Sequence, residues 1–259
     1  MKKNTQINLI EGSIAKNIVR FAVPMFLGNL FQQLYNMADS LVVGNFLGSR
    51  SLAAVTSTGS LIFLLVGFFS GTAMGAGVVI SRFFGAKDYN NIKKAVHTDI
   101  AFGILCGILM TVVGVIFAPQ ILSLMGTPDD VFVESVRYIR IYFLGSLAVI
   151  MYNVCMGILQ AVGDSKHPLY YLIISSVVNI ILDLLFIGIF RFGVGSAALA
   201  TIISQFLSVA LCMRQLIKTD DVYRVCIKDI AFDKGILVQI LNIGLPSGLQ
   251  NSIISIANV

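Results

Sequence analysis

The chain of 259 residues is 57% hydrophobic and 12% charged, with a mean hydropathy of +0.89. That composition excludes a soluble globular domain and places the chain among polytopic all-α membrane proteins. The net charge of +5 reads as a topology signal rather than a nucleic-acid footprint, and no nucleic-acid partner is expected.

A membrane helix needs about 20 apolar residues, and windows of that length recur along the chain. Lys2 and Lys3 precede the first of them, but Pro24, Asn29, Gln32 and Gln33 interrupt it and no small-residue cleavage site follows, so it is read as a retained helix over 14–43. In this span Asn29, Gln32, Gln33, Asn36, Asp39 and Ser40 follow helical i, i+3, i+4, i+7 spacing, so one face stays polar for several turns. Pro24 removes a backbone hydrogen bond and predicts a bend.

The second span, 52–84, carries Gly67, Gly71 and Gly75, a ladder that favours close helix packing. The third, 96–118, has Asp99 near its start, where a carboxylate favours the positive helix N-terminus. His97 and His167 adjoin polar loops and are read as solvated. The fourth, 131–156, places Tyr138 and Tyr142 one turn apart. Their rings could line a cavity for flat organic cations or anchor the helix at the interface. Span five, 168–190, carries Ser175, Asn179 and Asp183 at four-residue steps, and span six, 196–217, carries Thr201, Ser204, Gln205 and Ser208 on one face. A seventh begins near residue 235 and is incomplete at 259.

Assigning alternate loops places fourteen of the eighteen lysines and arginines on one side, which puts the N-terminus in the cytoplasm and the chain in the cytoplasmic membrane. The expected organisation is a cytoplasmic N-terminus (1–13), a six-helix lobe (14–217), a cytoplasmic loop (218–234) and the start of a second lobe (235–259). An internal match supports it. At an offset of 222, Pro24, Leu27 and Asn29 fall on Pro246, Leu249 and Asn251, and Asn36 on Asn258. Six helices followed by a parallel copy is a transporter plan, so the chain reads as the first half of a longer protein. Cys106, Cys155 and Cys212 fall inside spans and Cys226 in a loop, so disulfides are not expected. No phosphate-binding loop with a Lys-Ser/Thr ending and no His/Cys metal spacing occurs, and neither an ATP motor, an enzyme nor a resident cofactor is expected.

Asp39 and Asp183 carry most of the functional information. A carboxylate at membrane depth costs about 2.5–3.5 kcal/mol even on the lower scales and is kept where an ion, a proton or a cationic cargo meets it. Depth brings the polar faces together. At a rise of ~1.5 Å per residue, Asp39 lies about 8 Å inside Gly44, Asp183 about 10 Å inside Phe190 and Thr201 about 9 Å inside Gly195.

Pro24 is followed by Asn36, Asp39, Gly44, Gly48 and Leu52, Ala53, Ala54, then by Phe84, Gly85, Ala86, Lys87, Asp88, and by the run from Ala161 through Gly163, Asp164, Ser165, Lys166 and His167 to Pro168. In this order they resemble the multidrug and toxic compound extrusion (MATE) transporters, over essentially the whole length of the chain. A Gln common in the family before the Gly-Ala step is replaced by Ser81, Arg82, Phe83. The resemblance implies a twelve-helix antiporter of two six-helix lobes that exports organic cations against protons or sodium. In the prokaryotic DinF-type branch the coupling cation, H+ or Na+, is held at positions occupied here by Asp39, Asn179, Asp183 and Thr201. The cavity side would then include Asn29, Gln32, Gln33, Asn36, Tyr138, Tyr142, Ser175 and Gln205. Two carboxylates in one low-dielectric site cannot both stay ionised cheaply, and a sodium ion would find in them, with the Asn carbonyl and Thr hydroxyl, a shell of hard oxygen ligands. The implied partners are small organic cations, membrane lipid and a second lobe of the same protein. Two other readings remain: a lipid-linked saccharide flippase of the same fold, and a non-transporting half.

Overall fold

The computed structural model describes residues 13–257, and Lys2, Lys3 and Asn258 lie outside the described residues. The element order is α1 (Ile14–Leu47), α2 (Ser49–Gly85), α3 (Tyr89–Leu124), α4 (Asp129–Leu144), α5 (Ser146–Ala161), α6 (Lys166–Asp183) running into a π-helical turn (Leu184–Ile189), α7 (Gly195–Lys218) and α8 (Lys234–Ala257), with one 3₁₀ turn (Ile227–Asp229) between α7 and α8. No strand occurs among the described residues. Four helices are long and apolar enough to cross a membrane, or five when α4 and α5 count as one bent span. α1 and α8 are as long, 34 and 24 residues, but the amides of Asn29, Gln32 and Gln33 in one and of Gln239, Asn242, Gln250 and Asn251 in the other lower their hydropathy.

Exposed apolar stripes mark the lipid side. On α3, Leu105, Ile108, Leu109, Val112 and Ile116 repeat at helical spacing and are all exposed, the pattern of a helix with one face on hydrocarbon. Buried apolar residues gather in two places that matter for function. The larger core joins Ile80, Ile92, Val96, Ile100, Cys155, Ile158 and Leu216 of α2, α3, α5 and α7 with Ile236 and Ile240 of α8. A smaller one, near the turn between α1 and α2, holds Val43, Tyr138, Ile187, Ala197 and Ala198. The turn itself needs Gly48, whose φ of 85° is reached without the Cβ clash other residues meet.

Three sequence expectations are corrected. The fourth span is not continuous: α4 and α5 meet at Gly145 with a 48° bend. Gly145 is pressed against α7, where a Cβ would stand 2.2 Å from Ile202 Cγ1, and its N–H closes a tight turn onto the Tyr142 carbonyl at 3.0 Å. Second, α3 begins at Tyr89, seven residues before the apolar run, because Asp88 caps it by accepting from the Asn91 backbone N–H at 3.2 Å. Asp99 therefore sits in the third turn, 1% exposed, and not at a solvated helix N-terminus. Third, His97 is buried rather than solvated. Its Nδ1 faces the Lys93 carbonyl at 2.7 Å and its Nε2 accepts from the Cys226 N–H at 3.0 Å.

That last contact belongs to a set that fastens the segment 219–233 to the start of α3. Lys93 pairs with Asp229 at 2.6 Å and Lys94 with Asp233 at 3.4 Å, and Thr98 Oγ1 receives the Asp233 N–H at 3.1 Å. Asp233 then caps α8 through the Ile236 N–H at 3.0 Å. The glycine ladder of α2 packs as expected, and its partner is α8. A Cβ on Gly71 or on Gly75 would lie 2.4 Å from the Cα of Gly248 or Gly244.

Candidate functional site

Asp39 projects from the last third of α1, and Asp183 is the last residue of α6 before the π turn. A π turn widens the helix locally and is frequent at functional positions. α1 packs mainly on α6, and the two buried carboxyl groups lie within electrostatic range of each other. Asp39 is 9% and Asp183 0% exposed. Each keeps one oxygen, Oδ1, with no hydrogen-bond partner.

Asn179, one turn before Asp183, ties the pair to α7. With its amide oriented to satisfy both neighbours, Nδ2 donates to Asp183 Oδ2 at 3.0 Å and Oδ1 accepts from the Thr201 backbone N–H at 3.2 Å. The Thr201 hydroxyl donates to the Ala197 carbonyl at 3.1 Å and accepts from the Tyr35 hydroxyl at 3.3 Å. Thr201 thus bridges α7 and α1. Tyr138 and Tyr142 stack with centroids 6.4 Å apart and lie within electrostatic range of Asp39. Tyr138 is buried beside the pair and is not an interfacial anchor.

The sequence-predicted residues therefore fall into groups. Asp39, Asn179, Asp183, Thr201 and Tyr138 converge, and Tyr142 stands beside them half-buried. Ser175 and Gln205 continue the buried polar surface one turn further along α6 and α7. Asn29, Gln32 and Gln33 stay apart: they are exposed on α1, and Asn36, half-buried, donates to Gln33 Oε1 at 3.3 Å. Pro24 lies inside a helix that runs without interruption from Ile14 to Leu47. Sequence reasoning missed Tyr35. The signal was present, since Tyr35 sits four residues before Asp39 and shares its face. No group of three or more His, Cys, Asp or Glu side chains suited to a metal ion occurs among the described residues, so any bound cation would draw on the Asn179 and Thr201 oxygens as well.

Comparison with known proteins identifies the family. The MatE family model matches residues 24–185, well over half of the chain and the stretch that holds both aspartates. The chain belongs to the MatE family. It is 34% identical over 257 residues to the probable multidrug resistance protein YoeA of Bacillus subtilis (strain 168), an alignment covering 95% of this chain and 55% of that protein. It is 29% identical over 250 residues to the multidrug export protein MepA of Staphylococcus aureus (strain MRSA252), covering 96% and 55%. A solved outward-facing conformation of a multidrug resistance MATE family transporter of the MOP superfamily superposes with a TM-score of 0.90 at 29% identity, over 99% of this chain and 57% of that one. This MatE chain thus spans about half the length of the relatives it matches.

Proposed function

We propose that this MatE chain is the cation-coupling lobe of an exporter of small organic cations, with Asp39 and Asp183 as the exchange site. The observation that carries the reading is the burial of Asp39 and Asp183 on neighbouring helices, each with its Oδ1 left without a hydrogen-bond partner. Two carboxyl groups buried together cannot both stay ionised cheaply, so in this reading the pair shares one proton. The coupling ion in this reading is a proton taken up from outside. Loading the pair lowers its negative charge and its attraction for a cationic cargo, and unloading restores both, so cargo and proton compete for one site.

The exposed amides of Asn29, Gln32 and Gln33 would form one wall of a cavity completed by a second lobe of the same protein, with the N-terminus on the cytoplasmic side of the cytoplasmic membrane. Cargo is taken as cationic because among the described residues every buried Asp, Lys or Arg is an aspartate: Asp39, Asp99, Asp164 and Asp183. A flippase for anionic lipid-linked saccharides would instead need buried cations to neutralise its cargo.

The test is drug efflux from energised cells expressing the protein from its own gene, normalised to membrane insertion, at several external pH values with and without sodium. Asp39→Asn and Asp183→Asn should each abolish most export, with exposed Asp130→Asn as control. Asp99 and Asp164, being buried, are unsuitable as controls. Wild-type export by both aspartate variants would overturn the proposal, and export that follows sodium at constant pH would replace the proton by sodium.

A further inference from the structure

The polar face of α6 does not stop at the site. His167, Tyr171, Ser175, Asn179 and Asp183 recur at four-residue steps, a spacing that keeps them on one slowly drifting face. They cover ~24 Å of helix at 1.5 Å per residue, most of a hydrocarbon layer about 30 Å thick. α7 packs against α6 and carries its own row: Thr201, Ser204, Gln205, Ser208 and Cys212, all buried.

On the same two helices three buried polar atoms have no partner: Gln205 Oε1 and Ser208 Oγ in the α7 row, and Ser176 Oγ of α6 beside Ser175. Each buried atom left so costs about 1–3 kcal/mol, and in native interiors such atoms are normally met by ordered water. Thr201, Ser204 and Ser175 donate to carbonyls of their own helices and keep their oxygens able to accept, whereas Ser208, Ser176 and Gln205 are left for a third party.

Both ends are connected. At one end Asn179 touches Asp183 and Thr201. At the other, Cys212 lies within electrostatic range of Asp164 and Tyr171, and the Tyr171 and His167 rings lie 5.9 Å apart. His167 Nδ1 meets Asp164 Oδ2 at 2.5 Å, and Asp164 Oδ1 also takes the His167 backbone N–H at 3.2 Å. The Asp164 side chain is 3% exposed while that of His167 is 24% exposed. The dyad therefore has one buried member and one that reaches solvent.

We infer that the α6–α7 seam is a hydrated proton route linking the acidic pair to the far end of the lobe, with the Asp164–His167 dyad as its terminus. The inference rests on the proton-coupled reading above. A proton leaving the pair passes along water and serine hydroxyls, each oxygen accepting one proton as it gives up another. His167 Nε2 accepts the last one while Nδ1–H remains on Asp164, and then releases it to bulk water. One proton crosses, and no side chain is altered. The groups at His167 are Asp164 from the preceding turn and the Tyr171 ring on its own helix; Cys212 and Arg214 of α7 lie within electrostatic range of Tyr171.

The test uses the protein expressed from its own gene, reconstituted in liposomes with a trapped pH dye, and cargo-driven proton movement is timed. His167→Ala should slow proton movement by about tenfold or more, the lower range of what a positioned acid–base group contributes. Added imidazole should restore it, and cargo binding at equilibrium should be unchanged. Ser208→Leu, which fills the seam, should slow it without rescue by imidazole. If wild-type protein moves cargo but no protons, the proton-coupled reading itself fails. If wild-type protein moves protons and His167→Ala matches it, the route is wrong while the acidic pair stands. A slow His167→Ala protein that imidazole does not rescue assigns the dyad a purely structural role and also overturns the inference.

Discussion

The α2–α8 contact yields a prediction whose size follows from geometry. A Cβ placed on Gly71 would lie 2.4 Å from both the Cα and the N of Gly248 and 2.7 Å from the Ser247 carbonyl carbon, all backbone atoms that no rotamer change can move. Ordinary contact begins at 3.4 Å, so Gly71→Ala must part the helices locally by at least 1.0 Å, the difference of those two distances. A gap of that size forfeits about a quarter to a half of the dispersion attraction of each contact it opens, and overpacking of this kind typically costs about 1–3 kcal/mol. Alanine recovers about 0.5–1 kcal/mol of helix propensity, which leaves a net loss of about 1–2 kcal/mol.

Gly59 on the same helix is the control, because nothing lies within 4 Å of its would-be Cβ; there only the propensity gain remains. Thermal unfolding in detergent should therefore show a Tm lowered by about 2–8 °C for Gly71→Ala, at ~2–4 °C per kcal/mol, and unchanged or raised for Gly59→Ala. Equal Tm values for the two variants would refute the close approach of the two backbones and with it the docking of α8 on α2.

Other consequences are as direct. Tyr35→Phe removes the hydroxyl that donates to Thr201 Oγ1, a bond of about 0.5–1.5 kcal/mol. Tyr35→Phe and Thr201→Ala should each slow export several-fold without loss of insertion, and the double variant should be no worse than the more impaired single one; additive losses would mean the bond is not made. The 219–233 segment should be held by charge. The Lys93 side chain pushes the Asp229 carboxyl below the ordinary range, and the Ile236 N–H with Lys94 does the same for Asp233. Both shifts are depressions, so their stabilisation is present above the unfolded carboxylate range near 4 and is lost as pH falls through the lowered folded values. Proteolysis or hydrogen exchange of 219–233 should accelerate in strong acid and at high salt, since both pairs are solvent-exposed and screened. His97→Ala leaves the Cys226 N–H without its acceptor and should speed exchange in the same segment at neutral pH.

What was legible in the sequence, and what was not, follows from the range of each interaction. Helical periodicity is local, so the polar faces around Asp39, Asn179, Asp183 and Thr201 could be read residue by residue, whereas the Asn179 amide that joins Asp183 to Thr201 is a contact between helices that periodicity does not encode. The break at Gly145 was hidden because its cause, Ile202 of α7, lies 57 positions away and leaves no trace in the apolar run around the glycine. Asp99 and His97 were misread for a related reason. Hydropathy marks where apolar residues begin, whereas α3 begins where Asp88 can cap it, and the added turns are buried by a segment more than a hundred residues later in the chain. Tyr35 fell between categories: its ring fits an apolar face and its hydroxyl a polar one, so periodicity alone assigned it to neither. The same ambiguity explains the α6–α7 seam. Serines and a cysteine in a membrane helix read as packing residues one at a time, and only their alignment with the acidic pair at one end and the Asp164–His167 dyad at the other gives the row a direction.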